Sequence, residues 1–223
     1  MAIKDKAAIR KLLFFALFAV ATLVTSAQNQ VNWSLKAGVG MGNLIGDNMI
    51  SPQIKLAYKF GFALDCPLSK VWALQTGLFF VSKGTNHTIV EVDGYSAQAQ
   101  VNALYMELPL MAAVHFTIDR NTKIIVSAGP YSAWGVGGKT KALGYSWSSS
   151  SKPDWDSRNV IEMNTFGEDG LDLRRFDYGV GAGIAVEYRH YIIGIDGQLG
   201  LSKLQTDLDA KHLTGFVTVG YKF

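Results

Sequence analysis

Apolar residues recur at every second position in segment after segment of the chain. In 32–41, Trp33, Leu35, Ala37, Val39 and Met41 alternate with Asn32, Ser34, Lys36, Gly38 and Gly40. Segment 53–65 sets Ile54, Leu56, Tyr58, Phe60, Phe62 and Leu64 against Gln53, Lys55, Ala57, Lys59, Gly61, Ala63 and Asp65. Segments 71–81, 103–116 and 123–136 repeat the pattern, with Glu107 and Lys123 on the less apolar side. In 177–188, Tyr178, Val180, Ala182, Ile184, Val186 and Tyr188 oppose Asp177, three glycines, Ala185 and Glu187. Segment 191–201 opposes Ile193, Ile195, Leu199 and Leu201 to Gly194, Asp196, Gln198 and Gly200. The last, 212–223, opposes Leu213, Gly215, Val217, Val219, Tyr221 and Phe223 to Thr214, Phe216, Thr218, Gly220 and Lys222. Strict alternation predicts strands with one apolar face, eight in all. A helix would need contacts three and four residues apart, and Gly179, Gly181 and Gly183 would weaken it.

Charge on the second face decides which face is outside. A water-soluble eight-stranded barrel fills its interior with apolar side chains or a ligand cavity. Here the second face carries Lys36, Lys55, Lys59, Glu107, Lys123, Asp177, Glu187, Asp196 and Lys222. The continuous apolar face is therefore predicted to meet lipid, and the charged face a narrow lumen. Charges in such a lumen must pair, which predicts a plugged barrel held by a structural ion network. Connections after the second, fourth and sixth segments are short. The others are long: about 42–51, 82–100, 137–172 and 202–211. Short turns on one side and long loops on the other are the asymmetry of a bacterial outer-membrane barrel. The predicted fold is thus all-β: an eight-stranded antiparallel up-and-down transmembrane barrel over 28–223.

The first residues fit that destination. Lys4, Lys6, Arg10 and Lys11 precede the apolar run "LLFFALFAVATLV" and then "TSA" before Gln28. A basic start, a short apolar run and small residues describe a cleaved secretory signal peptide at 1–27. An uncleaved anchor is the alternative, but the run is short for a membrane helix. Cleavage removes four of the 21 Lys+Arg and one of the 18 Asp+Glu, leaving 17 of each. Nucleic-acid binding by a basic surface loses its support. Cys66 is the only cysteine, so no internal disulfide is available.

Chemical motifs are few. "GVGGKT" (135–140) lacks the first glycine of a phosphate loop, Ala133 standing in its place, and reads as an outside turn. His87, His115, His190 and His212 show no metal-ligand spacing. Asp154, Asp156, Glu162, Glu168, Asp169 and Asp172 crowd the longest loop beside Trp147 and Trp155, and read as a solvated loop rather than a divalent-ion site. No catalytic, cofactor or metal residue is assigned.

Four pieces, "YMELPLMAAV" (105–114), "GPYSAW" (129–134), "FDYGVGAGIAVEY" (176–188) and "VTVGYKF" (217–223), resemble the PorT-like outer-membrane β-barrel proteins of the Bacteroidetes. The resemblance implies an eight-stranded barrel in the outer membrane, with one named member linked to a secretion system. It also implies that the terminal aromatics, Tyr221 and Phe223, form the signal read by the barrel-assembly machinery. The expected role is structural or interactive, with partners among outer-membrane lipid, the assembly machinery and other envelope proteins. An enzyme acting on lipid or peptide, a narrow channel and a soluble lipocalin-like carrier are the alternatives.

Overall fold

A computed structural model describes residues 31–46, 49–50, 53–92, 95–143, 160–166, 173–203 and 210–223. The predicted signal peptide, and most of the acidic loop with its two tryptophans, lie outside the described residues. Among the described residues ten strands run β1 (Asn32–Gly46), β2 (Met49–Ile50), β3 (Lys55–Pro67), β4 (Trp72–Val92), β5 (Tyr95–Thr117), β6 (Thr122–Leu143), β7 (Val160–Asn164), β8 (Phe176–Tyr188), β9 (Tyr191–Gly200) and β10 (Ala210–Lys222). Eight of them, all but β2 and β7, pair antiparallel with their chain neighbours. The β1–β10 ladder, from Ser34 opposite Lys222 to Gly46 opposite Ala210, closes the ring. Closure leaves no open edge within the wall, the condition a bilayer imposes on strands.

The side-chain period places every alternating set as the chemistry demands. Val39, Met41, Leu56, Phe62, Ile193 and Val219 are exposed on the outer wall. Inside, Phe79, Val81 and Phe216 pack with Ala57 and Ala63. Ala73, Ala113 and Ile125 form a second inner cluster. The lumen is thus a packed mixed core, more apolar than a lining of glycine and charge alone. Val217 stands mid-strand on the outer wall, opposite Val39 and Ile195. Arginine at Val217 is expected to cost about 2–4 kcal/mol, as at the middle of a lipid-facing wall. Denaturant titration of the barrel refolded into vesicles measures it; an unchanged midpoint would place this wall outside lipid.

The strands outrun the alternation. Residues 82–100 are mostly strand, because the β4–β5 ladder continues from Lys83 opposite Ala103 to Val92 opposite Tyr95. Likewise β6 reaches Leu143, so "GVGGKT" is strand rather than a turn, and β7 pairs with its end. Beyond the bilayer the outer face meets water instead of lipid, so apolar alternation vanishes while the hydrogen-bond ladder goes on. Gly84 (φ 139°) and Gly138 (φ 144°) sit in the left-handed region that favours glycine, close to register shifts between Thr85 and Thr88 on β4 and between Leu104 and Tyr105 on β5. After Gly138 the phase changes: Thr140 is buried while Lys139 and Lys141 are exposed.

Tight turns join the other strand ends. In the β5–β6 turn, Asp119 Oδ1 accepts from the backbone N–H of Asn121 (2.7 Å) and of Thr122 (2.9 Å), and Oδ2 from the Thr122 hydroxyl (2.9 Å). These bonds, the Asn121 N–H foremost, hold the carboxyl below its ordinary range. A depressed folded value gives stability that is full above the unfolded value and lost as pH falls through the folded one, so the turn loosens only below about pH 4. Carbon-detected NMR should place the Asp119 titration below that of an unstructured aspartate, and Thr122→Val should raise it. No difference between the two proteins would remove the hydroxyl from this account.

Candidate functional site

The charged side chains that face inward lie at three levels of the barrel. Farthest from the tight turns is Lys83, which follows Phe79 and Val81 in the inward phase of β4. Its Nζ lies 3.0 Å from Glu107 Oε2 on β5 and 3.0 Å from Asp177 Oδ2 on β8. All three are buried. The Tyr131 hydroxyl donates to Asp177 Oδ2 (3.2 Å), and the Ser202 hydroxyl to Oδ1. Gln198 Nε2 donates to Glu107 Oε1 (2.6 Å). The ammonium also stands 4.1 Å from the Tyr131 ring centroid and 5.5 Å from that of Tyr105. Tyr105 OH is 3.4 Å from His212 Nε2. Leu44, Val101, Phe166, Leu173 and Ala210 pack around Tyr105 and Tyr131.

Glycine makes this level possible. A Cβ at Gly179 would stand 2.7 Å from Tyr131 Cε1, so only a bare backbone lets the ring lie across β8 toward Asp177. The room that Gly179 leaves goes to an aromatic ring rather than to a charged side chain.

At the middle level Lys59 pairs with Asp196 across the lumen. Its ammonium is 5.3 Å from the Phe79 ring centroid and 5.2 Å from that of Phe216. Cation–π contact here lets a charge sit among apolar side chains. Nearest the tight turns, Glu187 pairs with Lys222 and, at 3.9 Å, with Lys123. Beside it Asp65 Oδ2 accepts from Gln75 Nε2 (2.6 Å) and lies 3.1 Å from His115 Nε2.

Of the nine lumen charges named from the sequence, seven meet an opposite charge. Glu107 and Asp177 do so through Lys83, which lay in a stretch read as a loop. Lys55 instead donates to Asn102 Oδ1 and Ser82 Oγ, and Lys36 has no ion pair or hydrogen bond among the described residues. Lys83, Gln198, Tyr131, Asp65 and His115 were not in the predicted network. The signal for Lys83 was present: Ala73, Gln75, Gly77, Phe79, Val81, Lys83 and Thr85 keep one phase. Among the described residues no group of three or more His, Cys, Asp or Glu could hold a metal ion.

Chemically, each acid at these levels is engaged with a base or a neutral donor. The levels act as struts between strands far apart in sequence: Lys83 ties the β4–β5 hairpin to β8, and Lys59 ties β3 to β9. Residues 26–205 match the model of the outer membrane protein beta-barrel domain. The chain belongs to that family. It is a small β-barrel of the bacterial outer membrane, and its apolar wall faces lipid.

Several solved barrels are similar to it. The crystal structure of Ail, the attachment invasion locus protein of Yersinia pestis, in complex with the heparin analogue sucrose octasulfate, is 14% identical, with 87% of this chain and 100% of that one covered and a TM-score of 0.43. OprG of Pseudomonas aeruginosa is 9% identical over 88% and 98%, also at 0.43. Neisserial surface protein A is 9% identical over 87% and 100%, at 0.43. No curated protein matches the chain.

Proposed function

We propose that this barrel has a structural or interaction role: the lumen is plugged, and the strands that rise past the membrane carry the partner-binding surface. The observation that supports it most is the crossing of the lumen by Lys83, Glu107 and Asp177 beneath hairpins that continue outward. Side chains from β4, β5 and β8 meet there, and rings of β5 and β6 fill the space beside them. The same ladders prolong β4, β5 and β6, and β2 and β7 join them at the outer end. Ordered backbone beyond the wall gives partners a shaped surface, whereas conduction would need an open path through the level of Lys83.

The charge network is structural in this reading, without catalytic residues or cofactors. Partners are outer-membrane lipid, the assembly machinery during biogenesis and other envelope proteins. The resemblance of 105–114, 129–134, 176–188 and 217–223 to PorT-like proteins supports a link to secretion or envelope assembly. The test is cross-linking and capture of the intact barrel from outer membranes, beside a variant whose β4–β5 hairpin is cut back to a tight turn after Thr85. Partners should be lost with the hairpin while the barrel still folds. Planar-bilayer recording should stay silent for both. Stable single-channel steps from the wild type would replace the plug with a pore.

A further inference from the structure

Within the wall the sheet is a closed ring, but past the rim it is open. There β4, β5 and β6 run on beyond their barrel neighbours, and β2 and β7 join them in the order β2–β4–β5–β6–β7. The two edges of this outer sheet differ. β2 is two residues long, and a very short strand is one way to keep an edge from pairing with other chains. β7 is five residues long, Val160 to Asn164, with no proline or lysine among them.

β7 takes over the place beside β6 that β8 holds lower down: the β8 ladder ends at Trp134, and the β7 ladder starts at Lys139. Beyond β8 stands β9, which stops at Gly200. The N–H groups of Leu201 and Ser202 both donate to Tyr178 O, at 2.8 and 3.3 Å, so the chain does not climb beside β7. Among the described residues β7 pairs with β6 alone. It is also pinned in place. The Thr165 N–H donates to Gly138 O (3.1 Å) and its hydroxyl to Asn102 O (2.7 Å), while the Phe166 ring lies edge-on to Tyr105 with centroids 5.4 Å apart.

Antiparallel neighbours exchange hydrogen bonds in alternate pairs. The bond from Thr165 to Gly138 sets the phase, so Met163 with Thr140 and Ile161 with Ala142 are the bonded pairs. The N–H and C=O groups of Val160, Glu162 and Asn164 therefore point away from β6, along the open edge. A row of alternating backbone donors and acceptors fits one kind of occupant, an extended polypeptide.

We propose that the β7 edge is a strand-acceptor site, which takes an extended segment of another envelope protein as a sixth strand of the outer sheet. This site rests on the interaction role proposed above and gives it a place and a partner chemistry. A second copy of the chain fits less well. Two β7 strands paired about their centres would set Glu162 against Glu162, and like charges directly opposite are destabilising. They would also join two surfaces that each carry Lys139 and Lys141 against that one acid.

The test uses the full barrel refolded in detergent and a fluorescent peptide of about eight residues, valine alternating with threonine between terminal lysines. The peptide should bind and slow the exchange of the Glu162 and Asn164 amides. Glu162→Pro removes an N–H from the open edge and none from the β6 ladder, so it should weaken binding at least about tenfold while the folded band persists. Glu162→Gln keeps the N–H and should bind as the wild type does. If Glu162→Pro upsets β7 itself, the same peptide N-methylated at alternate amides should fail on the wild type. Equal binding by Glu162→Pro, or none by the wild type, overturns the site. So does slow exchange at Glu162 and Asn164 without peptide, which means that the chain covers its own edge. A wild-type dimer abolished by Glu162→Pro overturns it in favour of a second copy. Capture from outer membranes separates this site from the broader role. Partners kept by Glu162→Pro but lost with the β4–β5 hairpin would leave the interaction role standing and remove β7 from it.

Discussion

Lys83→Met is expected to lose the heat-resistant folded form at temperatures where the wild type keeps it. The substitution preserves length and most of the packing volume. What it removes is the one cation between Glu107 and Asp177, each 3.0 Å from Nζ. Two buried carboxylates then face each other with only neutral donors, Gln198, Tyr131 and Ser202. Breaking a buried ionic group by removing one partner costs about 3–5 kcal/mol, because the remaining charge has no compensation. A set of variants separates charge from packing. Adding Glu107→Gln and Asp177→Asn to Lys83→Met should recover most of the loss, since nothing charged is then left unpaired. Replacing both acids while keeping Lys83 should be as harmful as Lys83→Met alone. The measurement is the gel-shift midpoint in urea for refolded protein. A Lys83→Met barrel as resistant as the wild type would show that the crossing does not hold these strands together.

How much of the fold the sequence announces depends on where water is. Within the bilayer one face of each strand meets lipid, so Trp33 to Met41, Ile54 to Leu64 and Tyr178 to Tyr188 announce both the strands and their outward side. The ring order follows from short turns, and closure from the even count. Beyond the bilayer neither face is forced to be apolar. The run "SKGTNHT" (82–88) therefore reads as a loop, although Lys83 to Thr85 keep the β4–β5 ladder. Lys83 was missed for that reason alone, and with it the centre of the upper level. Pairing is a different kind of information. Lys59 meets Asp196 because the sheet curls β3 opposite β9, a distance across the lumen that no local pattern contains. Lys36 and Lys55 look identical to Lys59 in sequence, yet neither reaches a carboxylate. Ile125, Ile192 and Phe216 show the converse: the chain tolerates apolar residues inside because the lumen is packed rather than wet.

Removing residues 217–223 is expected to abolish folding altogether, in vitro as in cells. These seven residues supply the pairings of Val39, Gly38, Ala37, Lys36, Leu35 and Ser34 on β1, and of Ile195 to Tyr191 on β9. The Phe223 N–H also donates to Trp33 O at 2.9 Å, and the Lys222 N–H to His190 O at 2.7 Å. Without them the ring opens, and two strand edges carry unpaired N–H and C=O groups into hydrocarbon. Each such group costs several kcal/mol there, so the loss far exceeds any single side chain. No folded band should appear at any detergent or lipid ratio tested, and a closed seven-stranded form would contradict the account. Phe223→Ala asks a separate question. The residue is 71% exposed and its ring lies edge-on to Tyr221 with centroids 5.4 Å apart, while the backbone bond to Trp33 survives the change. Folding of the purified variant into detergent should therefore match the wild type to within about 1 kcal/mol. If Tyr221 and Phe223 are read by the assembly machinery, the same variant should accumulate unassembled in cells. Normal assembly of Phe223→Ala in cells would reduce the terminal aromatic to an interface anchor and leave closure as the whole reason for the last strand.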